Sequence, residues 1–170
     1  MPLHAIAVCL SVVTLSVPGA ALGFKGGPMK LRAADIVGTW YEIARFPEHF
    51  GRDCTRNRAI NTLDGDNITT QSVCNKGGKA GPEKRFRLSC AVINNPTETR
   101  LKFSYKIFSR EVVVEEVGDS GEYAALGTDD RAHLFIIHRA PVMEEATLAG
   151  LKDRMKLRGY DTSRLVRVEQ

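Results

Sequence analysis

Apolar and polar residues alternate along most of this chain, and the alternation is broken at short intervals by Gly, Asn, Asp and Pro. That spacing of short strands and turn signals predicts an all-β sandwich or barrel. Thr39 to Phe46 reads as the first strand. Asn57 to Leu63 and Ile68 to Cys74 flank Asp64-Gly65-Asp66, a hairpin signal with a glycine available for positive φ. Lys76 to Pro82 is a Gly- and Lys-rich loop. It is followed by Arg85 to Ile93, with Phe86, Leu88, Cys90 and Val92 on one face. Asn94 to Thr97 turns the chain into a strand whose one face carries Leu101, Phe103, Tyr105 and Ile107. Val112 to Val117, Glu122 to Leu126 and His133 to Arg139 extend the meander.

The period changes once. Leu148, Leu151 and Met155 recur at helical spacing, with Pro141 at the entry, acidic Glu144 and Glu145 near the start, basic residues towards the end and Gly159 as a stop. A short strand, Arg164 to Val168, closes the chain. About eight strands, one amphipathic helix and one final strand predict an eight-stranded antiparallel up-and-down calyx barrel, a closed form able to hold one small ligand.

Composition narrows the class. At 170 residues one domain is expected, and 43% hydrophobic content supplies a sizeable core. The net charge of +4 is spread among acids, with no basic stripe, so nucleic acid is not an expected partner. Residues 1–23 lack Asp, Glu, Lys and Arg, and Leu3 to Val17 are largely apolar before Ala21-Leu22-Gly23. This reads as an export signal cleaved before Phe24, leaving a single domain over 24–170 that is periplasmic or secreted. Cys9 lies inside the apolar core without the Leu-x-x-Cys setting of lipid attachment, so a soluble form is expected over an anchored one, with transient membrane contact as an option.

Export permits a disulfide among Cys54, Cys74 and Cys90. Cys54 and Cys74 lie symmetrically about the Gly65 hairpin, and Cys74 and Cys90 about Pro82. The shared apolar face of Cys90, Phe86 and Leu88 favours Cys74–Cys90, with Cys54–Cys74 as the alternative. No Cys or His cluster has metal-ligand spacing, and no cofactor motif appears.

Three further segments sharpen the fold class. Gly38-Thr39-Trp40 opens the first strand and holds the only tryptophan, Gly118-Asp119-Ser120-Gly121-Glu122-Tyr123 follows in the second half, and Arg139 ends a late strand. In this order the chain resembles the lipocalins, most closely the bacterial members related to apolipoprotein D, over about Ala34 to Gln170. Gly118 and Ser120 depart from the family's Thr-Asp-Tyr-x-x-Tyr pattern, while Asp119 and Tyr123 match it. The resemblance implies that Trp40 packs across a closed barrel end beneath the Arg139 guanidinium, with Gly38 giving room and Asp119 and Tyr123 bracketing a turn nearby.

It also implies non-catalytic binding of a fatty acid or lysophospholipid. If Trp40 faces inward, strand alternation turns Glu42, Ala44 and Phe46 inward as well, and hydrophobic alternation adds Phe86, Leu88, Phe103 and Tyr105. Glu42 and Tyr105 are then the polar handles of an apolar wall. Two other classes fit the same motifs: a lipocalin-fold enzyme acting on a lipid or isoprenoid, and an interaction module that uses its open-end loops.

Overall fold

The structure, a computed structural model, describes residues 30–48, 52–65 and 67–170. The expected export signal and His49 lie outside the described residues. A 3-10 turn, Ala33–Ile36, leads into β1 (Gly38–Arg45). β2 (Cys54–Asp64), β3 (Asn67–Lys76), β4 (Glu83–Asn94) and β5 (Thr99–Tyr105) follow. β6 (Phe108–Val117), β7 (Tyr123–Gly127) and β8 (Leu134–His138) complete the meander. Each strand pairs antiparallel with the next, β8 pairs with β1, and β1 pairs with β2 from Gly38↔Asn61 to Tyr41↔Arg58. The result is a closed eight-stranded up-and-down barrel. The helix α1 (Glu145–Leu157) and a short β9 (Val166–Arg167), bonded to the outside of β1, complete it.

The period-two alternation gives the barrel an inner and an outer apolar layer. Inside, Trp40, Ile68, Leu101, Val112, Val114 and Leu126 pack together. Outside, Leu148, Leu151 and Met155 of α1 lie on Ile43, Ala44, Phe46, Leu134 and Ile136. The helix stops where expected, with Gly159 at φ +90, but it starts at Glu145, and Pro141 stands ahead of it in a bend.

Two irregularities redirect side chains. The β1–β8 register shifts between Glu42 and Ala44. One extra residue in a strand reverses the facing of everything beyond it. Ala44 and Phe46, expected inside, therefore face the helix, and the Phe46 ring meets Tyr160 edge-on at 6.4 Å. A second shift, between Val114 and Glu116, leaves both Glu115 and Glu116 under the helix layer. There the Tyr160 hydroxyl donates to Glu115 at 2.5 Å, and Arg154 donates to Glu116 at 2.7 Å.

Ile107 is a further correction. The Leu101-Phe103-Tyr105 alternation does not run on to it: Tyr105 pairs with Phe108, so Lys106 and Ile107 form a two-residue turn, with Lys106 at φ +52.

The preferred cysteine pairing is also overturned. The disulfide joins Cys54 to Cys74, with 5.5 Å between Cα atoms, and Cys90 is free and buried. The β3–β4 register places Cys74 opposite Lys84 and Cys90 opposite Ile68, so those two thiols stand at opposite ends of the hairpin. The hairpin centre falls at Lys79, three residues before Pro82. The double substitution C54S/C74S is expected to cost about 2–4 kcal/mol by freeing the unfolded chain. Urea melts of the native protein with and without reductant should show the same loss, and unchanged midpoints in both would exclude it.

Candidate ligand-binding calyx

Gly38 sits at φ +97, a backbone conformation suited to glycine, and a Cβ there would come within 3.1 Å of Arg139 Nη1. This lets the chain turn tightly from the 3-10 segment into β1 and sets Trp40 across the barrel floor. The indole N–H donates to the Ile36 carbonyl at 2.9 Å. Arg139 covers the ring at 3.7 Å from guanidinium carbon to ring centroid, and donates to Val37 O at 2.5 Å and Asp35 O at 2.8 Å. Asn61 donates to the same Ile36 carbonyl at 2.8 Å and accepts from the Thr70 hydroxyl at 2.7 Å. The buried polar groups of this floor are thus satisfied among themselves, as a closed end without water requires.

Above the floor lies a cavity of about 850 Å³. Its deep wall is apolar: Leu101, Val112, Val114, Leu126, Phe135 and Ile137 join Trp40. Higher up, charge enters. Glu42 lines the cavity, and Arg45, turned inward by the β1 shift beside Phe135, donates to it at 3.0 Å. Burial pushes the Glu42 carboxyl above the usual range, and the neighbouring Arg45 charge opposes the rise. Asn57 approaches Glu42 at 3.5 Å. At the mouth Arg110 lines the cavity and donates to Glu48 at 3.0 Å, and Glu48 also meets His133.

The structure brings some of the sequence-derived residues together and separates others. Glu42, Leu88 and Phe103 line the cavity with Trp40, Asp119 and Arg139. Phe86 pairs with Ser72, and Tyr105 precedes the β5–β6 turn; both lie on the inner face but at the rim, beyond the cavity lining. Ala44 and Phe46 are on the far side of the sheet. Tyr123 closes the turn through its carbonyl, which accepts from Gly118 N at 2.9 Å, and its hydroxyl points outward to Glu116.

Sequence reasoning missed Arg45, Arg110 and Asn61. Parity counted from Trp40 puts Arg45 outside, and only the register shift brings it in. Arg110 faces inward because it pairs with Phe103, a register that no local signal announces. Asn61 left no local trace, since β2 around it is mostly polar. Among the described residues Cys90 has the free thiol, and burial pushes it up to about 11, so it is protonated at neutral pH and is a poor nucleophile.

The family profile described as a lipocalin-like domain matches residues 31–170. This chain belongs to the lipocalin family. The lipocalin is 29% identical over 140 residues to the outer membrane lipoprotein Blc of Vibrio cholerae, covering 80% of this chain and 81% of that protein. It is 30% identical over 151 residues to temperature-induced lipocalin-1 of Arabidopsis thaliana, covering 82% and 80%. Among solved structures, the cockroach allergen Per a 4 aligns with a TM-score of 0.64 at 21% identity, covering 86% of this lipocalin and 94% of that chain. Lobster apocrustacyanin A1 aligns with a TM-score of 0.60 at 18% identity, covering 81% and 78%. At that identity the structural matches speak for the fold alone. Lipocalins typically bind small hydrophobic ligands, and a closed floor beneath an apolar cavity is the architecture for it. Among the described residues, no helix is long and apolar enough to cross a membrane.

Proposed function

We propose that this lipocalin binds a single-chain amphiphile, of the fatty acid or lysophospholipid class, without transforming it. The observation that carries this reading is a calyx with a broad apolar wall and a few charged groups towards its mouth. The cavity of about 850 Å³ has its apolar wall in Leu88, Leu101, Phe103, Val112, Val114, Leu126, Phe135 and Ile137, with Glu42, backed by Arg45, and Arg110 towards the mouth. That size is within the usual range of small-molecule sites, and convergent polar groups at one end orient a ligand that has one polar end. The acyl chain lies in the deep half, and the head group exchanges with the Arg45–Glu42 and Arg110–Glu48 pairs. Those carboxylates and guanidinium groups already engage one another, which supports a binding role over acid–base chemistry. The similarity to proteins named outer membrane lipoprotein supports export of the mature domain, and we place it in the periplasm or outside the cell in soluble form.

Native mass spectrometry of the protein purified from its own cells should show a co-purifying lipid. Titration with a fluorescent fatty acid should give micromolar or tighter binding. Ala59→Trp, which places a second indole in the cavity, should weaken binding at least about tenfold, as filling a mostly apolar pocket requires. Turnover of candidate lipids assayed in parallel should stay at background. Absence of both a co-purifying lipid and micromolar binding would defeat the reading.

A further inference from the structure

Among the described residues, four exposed large hydrophobic side chains lie on the β4–β6 side of the calyx mouth. At the β5–β6 turn Ile107 is 91% exposed and Phe108 70%, and Tyr105 and Phe86 stand beside them on the inner rim. The turn itself does not ask for such residues. A two-residue hairpin turn with a positive φ favours Gly or Asn, whereas here Lys106 takes φ +52 and the β-branched Ile107 follows it. The cavity does not use them either, since none of the four is among its lining residues. Exposed apolar clusters rimmed by polar groups mark interaction surfaces.

The surrounding charge indicates the partner. The open-end halves of β4, β5 and β6 and the β5–β6 turn carry Lys84, Arg85, Arg87, Lys102, Lys106 and Arg110 against Glu83 and Glu111, with Arg110 paired to Glu48. Glu83 and Glu111 are held by Arg58, Arg85 and Lys102. Lys84, Arg87 and Lys106 are exposed around the apolar tip. The opposite, closed end is bounded by turns bearing Asp35, Asp64, Asp119 and Glu122, with Arg32 paired to Asp35. The β4–β6 side of the open rim is therefore basic and apolar-tipped, while the rest of that rim carries Glu48, Asp129 and Asp130.

We propose that the β4–β6 side of the rim docks on the anionic face of a lipid bilayer. Ile107 and Phe108 enter the interfacial layer, and Lys84, Arg87 and Lys106 meet lipid phosphates, so that the calyx opens onto the membrane. A narrow turn offering two apolar side chains inside a ring of long basic ones matches a fluid anionic surface. A stable protein interface instead buries on the order of 1,000 Å² or more of complementary surface.

The test is vesicle co-sedimentation of the processed protein, exported from cells expressing the full chain. Vesicles of phosphatidylcholine alone are compared with vesicles that also contain phosphatidylglycerol. Binding is expected to the anionic vesicles, at least about tenfold weaker to the neutral ones, and to weaken with added salt. I107S/F108S and, separately, K84E/K106E should each reduce anionic-vesicle binding at least about tenfold. L157S, which removes an exposed apolar side chain on the helix, should leave it unchanged. Melting temperature and fluorescent fatty acid binding, measured on the same variants, should stay at wild-type values. Failure of the wild type to sediment with anionic vesicles, or I107S/F108S sedimenting like wild type, overturns docking and leaves the calyx reading intact if fatty acid still binds. If I107S/F108S instead dissolves a dimer seen by light scattering without altering vesicle binding, the tip is a contact between copies and the bilayer proposal is wrong.

Discussion

Replacing Trp40 with alanine is expected to destabilise the barrel by about 3–5 kcal/mol, the range for deleting a packed aromatic. The indole is 5% exposed and supports three separate layers of the floor. Its ring packs with the inner core, its N–H donates to Ile36 O, and its upper face carries the Arg139 guanidinium. Alanine removes all three and leaves Arg139 over a hole. Trp40→Phe should cost less, because an aromatic face remains for the guanidinium and only the N–H donor and some volume are lost. Arg139→Lys tests the stacking from the other side. A lysine keeps the charge but cannot lie flat on the ring while donating in two directions to Val37 O and Asp35 O. Since Trp40 is the only tryptophan, unfolding should be followed by circular dichroism rather than intrinsic fluorescence. A loss below about 1 kcal/mol for Trp40→Ala, the scale of a surface change, would contradict its role as the floor.

The second large effect is expected at Tyr160, which lies outside the barrel. It is 2% exposed, sits edge-on to Phe46, lies under the Arg131 guanidinium at 4.9 Å and donates to Glu115 at 2.5 Å. Tyr160→Ala should cost about 3–5 kcal/mol through the lost ring and the cavity it leaves. Tyr160→Phe separates the hydroxyl from the ring. It removes one donor to a buried carboxylate and should cost about 1–3 kcal/mol, moderated because Arg131 still donates to Glu115 at 3.2 Å. The close fit at this site also explains Gly127, whose Cβ would fall 1.9 Å from the Tyr160 hydroxyl. Chemical denaturation of the two variants should rank alanine well below phenylalanine. Equal midpoints would mean that the ring contributes nothing beyond its hydroxyl. Fatty acid binding at a temperature where Tyr160→Phe is folded should match wild type, since the site lies across the sheet from the cavity.

Much of the architecture is legible in the residues because its causes are local. Period-two alternation, the Asp64-Gly65 turn, the Gly159 stop and the three-four spacing of Leu148, Leu151 and Met155 each follow from backbone geometry within a few residues. The floor is legible for another reason: Gly38 with Trp40, the Asp119–Tyr123 segment and Arg139 form a recurring combination, each part weak alone but telling in its order.

The contents of the cavity were decided by tertiary structure. Facing along a strand is a running count, and a single extra residue between Glu42 and Ala44 inverts it. That inversion sends Ala44 and Phe46 to the helix and turns Arg45 to the inner face, against Glu42. Cysteine pairing likewise depends on where the β3–β4 hairpin folds, and a centre at Lys79 rather than Pro82 moves Cys90 to the far end of the ladder from Cys74. The same holds at the mouth, where the Leu101-Phe103-Tyr105-Ile107 alternation looks like one strand until the pairing of Tyr105 with Phe108 turns Ile107 into an exposed tip. By itself the sequence determined that this protein is a closed barrel with a sealed floor, because hydrophobic period and turn chemistry act within a few residues. Which side chains meet a ligand, which cysteines join and which apolar residues stay in solvent depend on register, and register is settled only when non-local strands pair and bury one face.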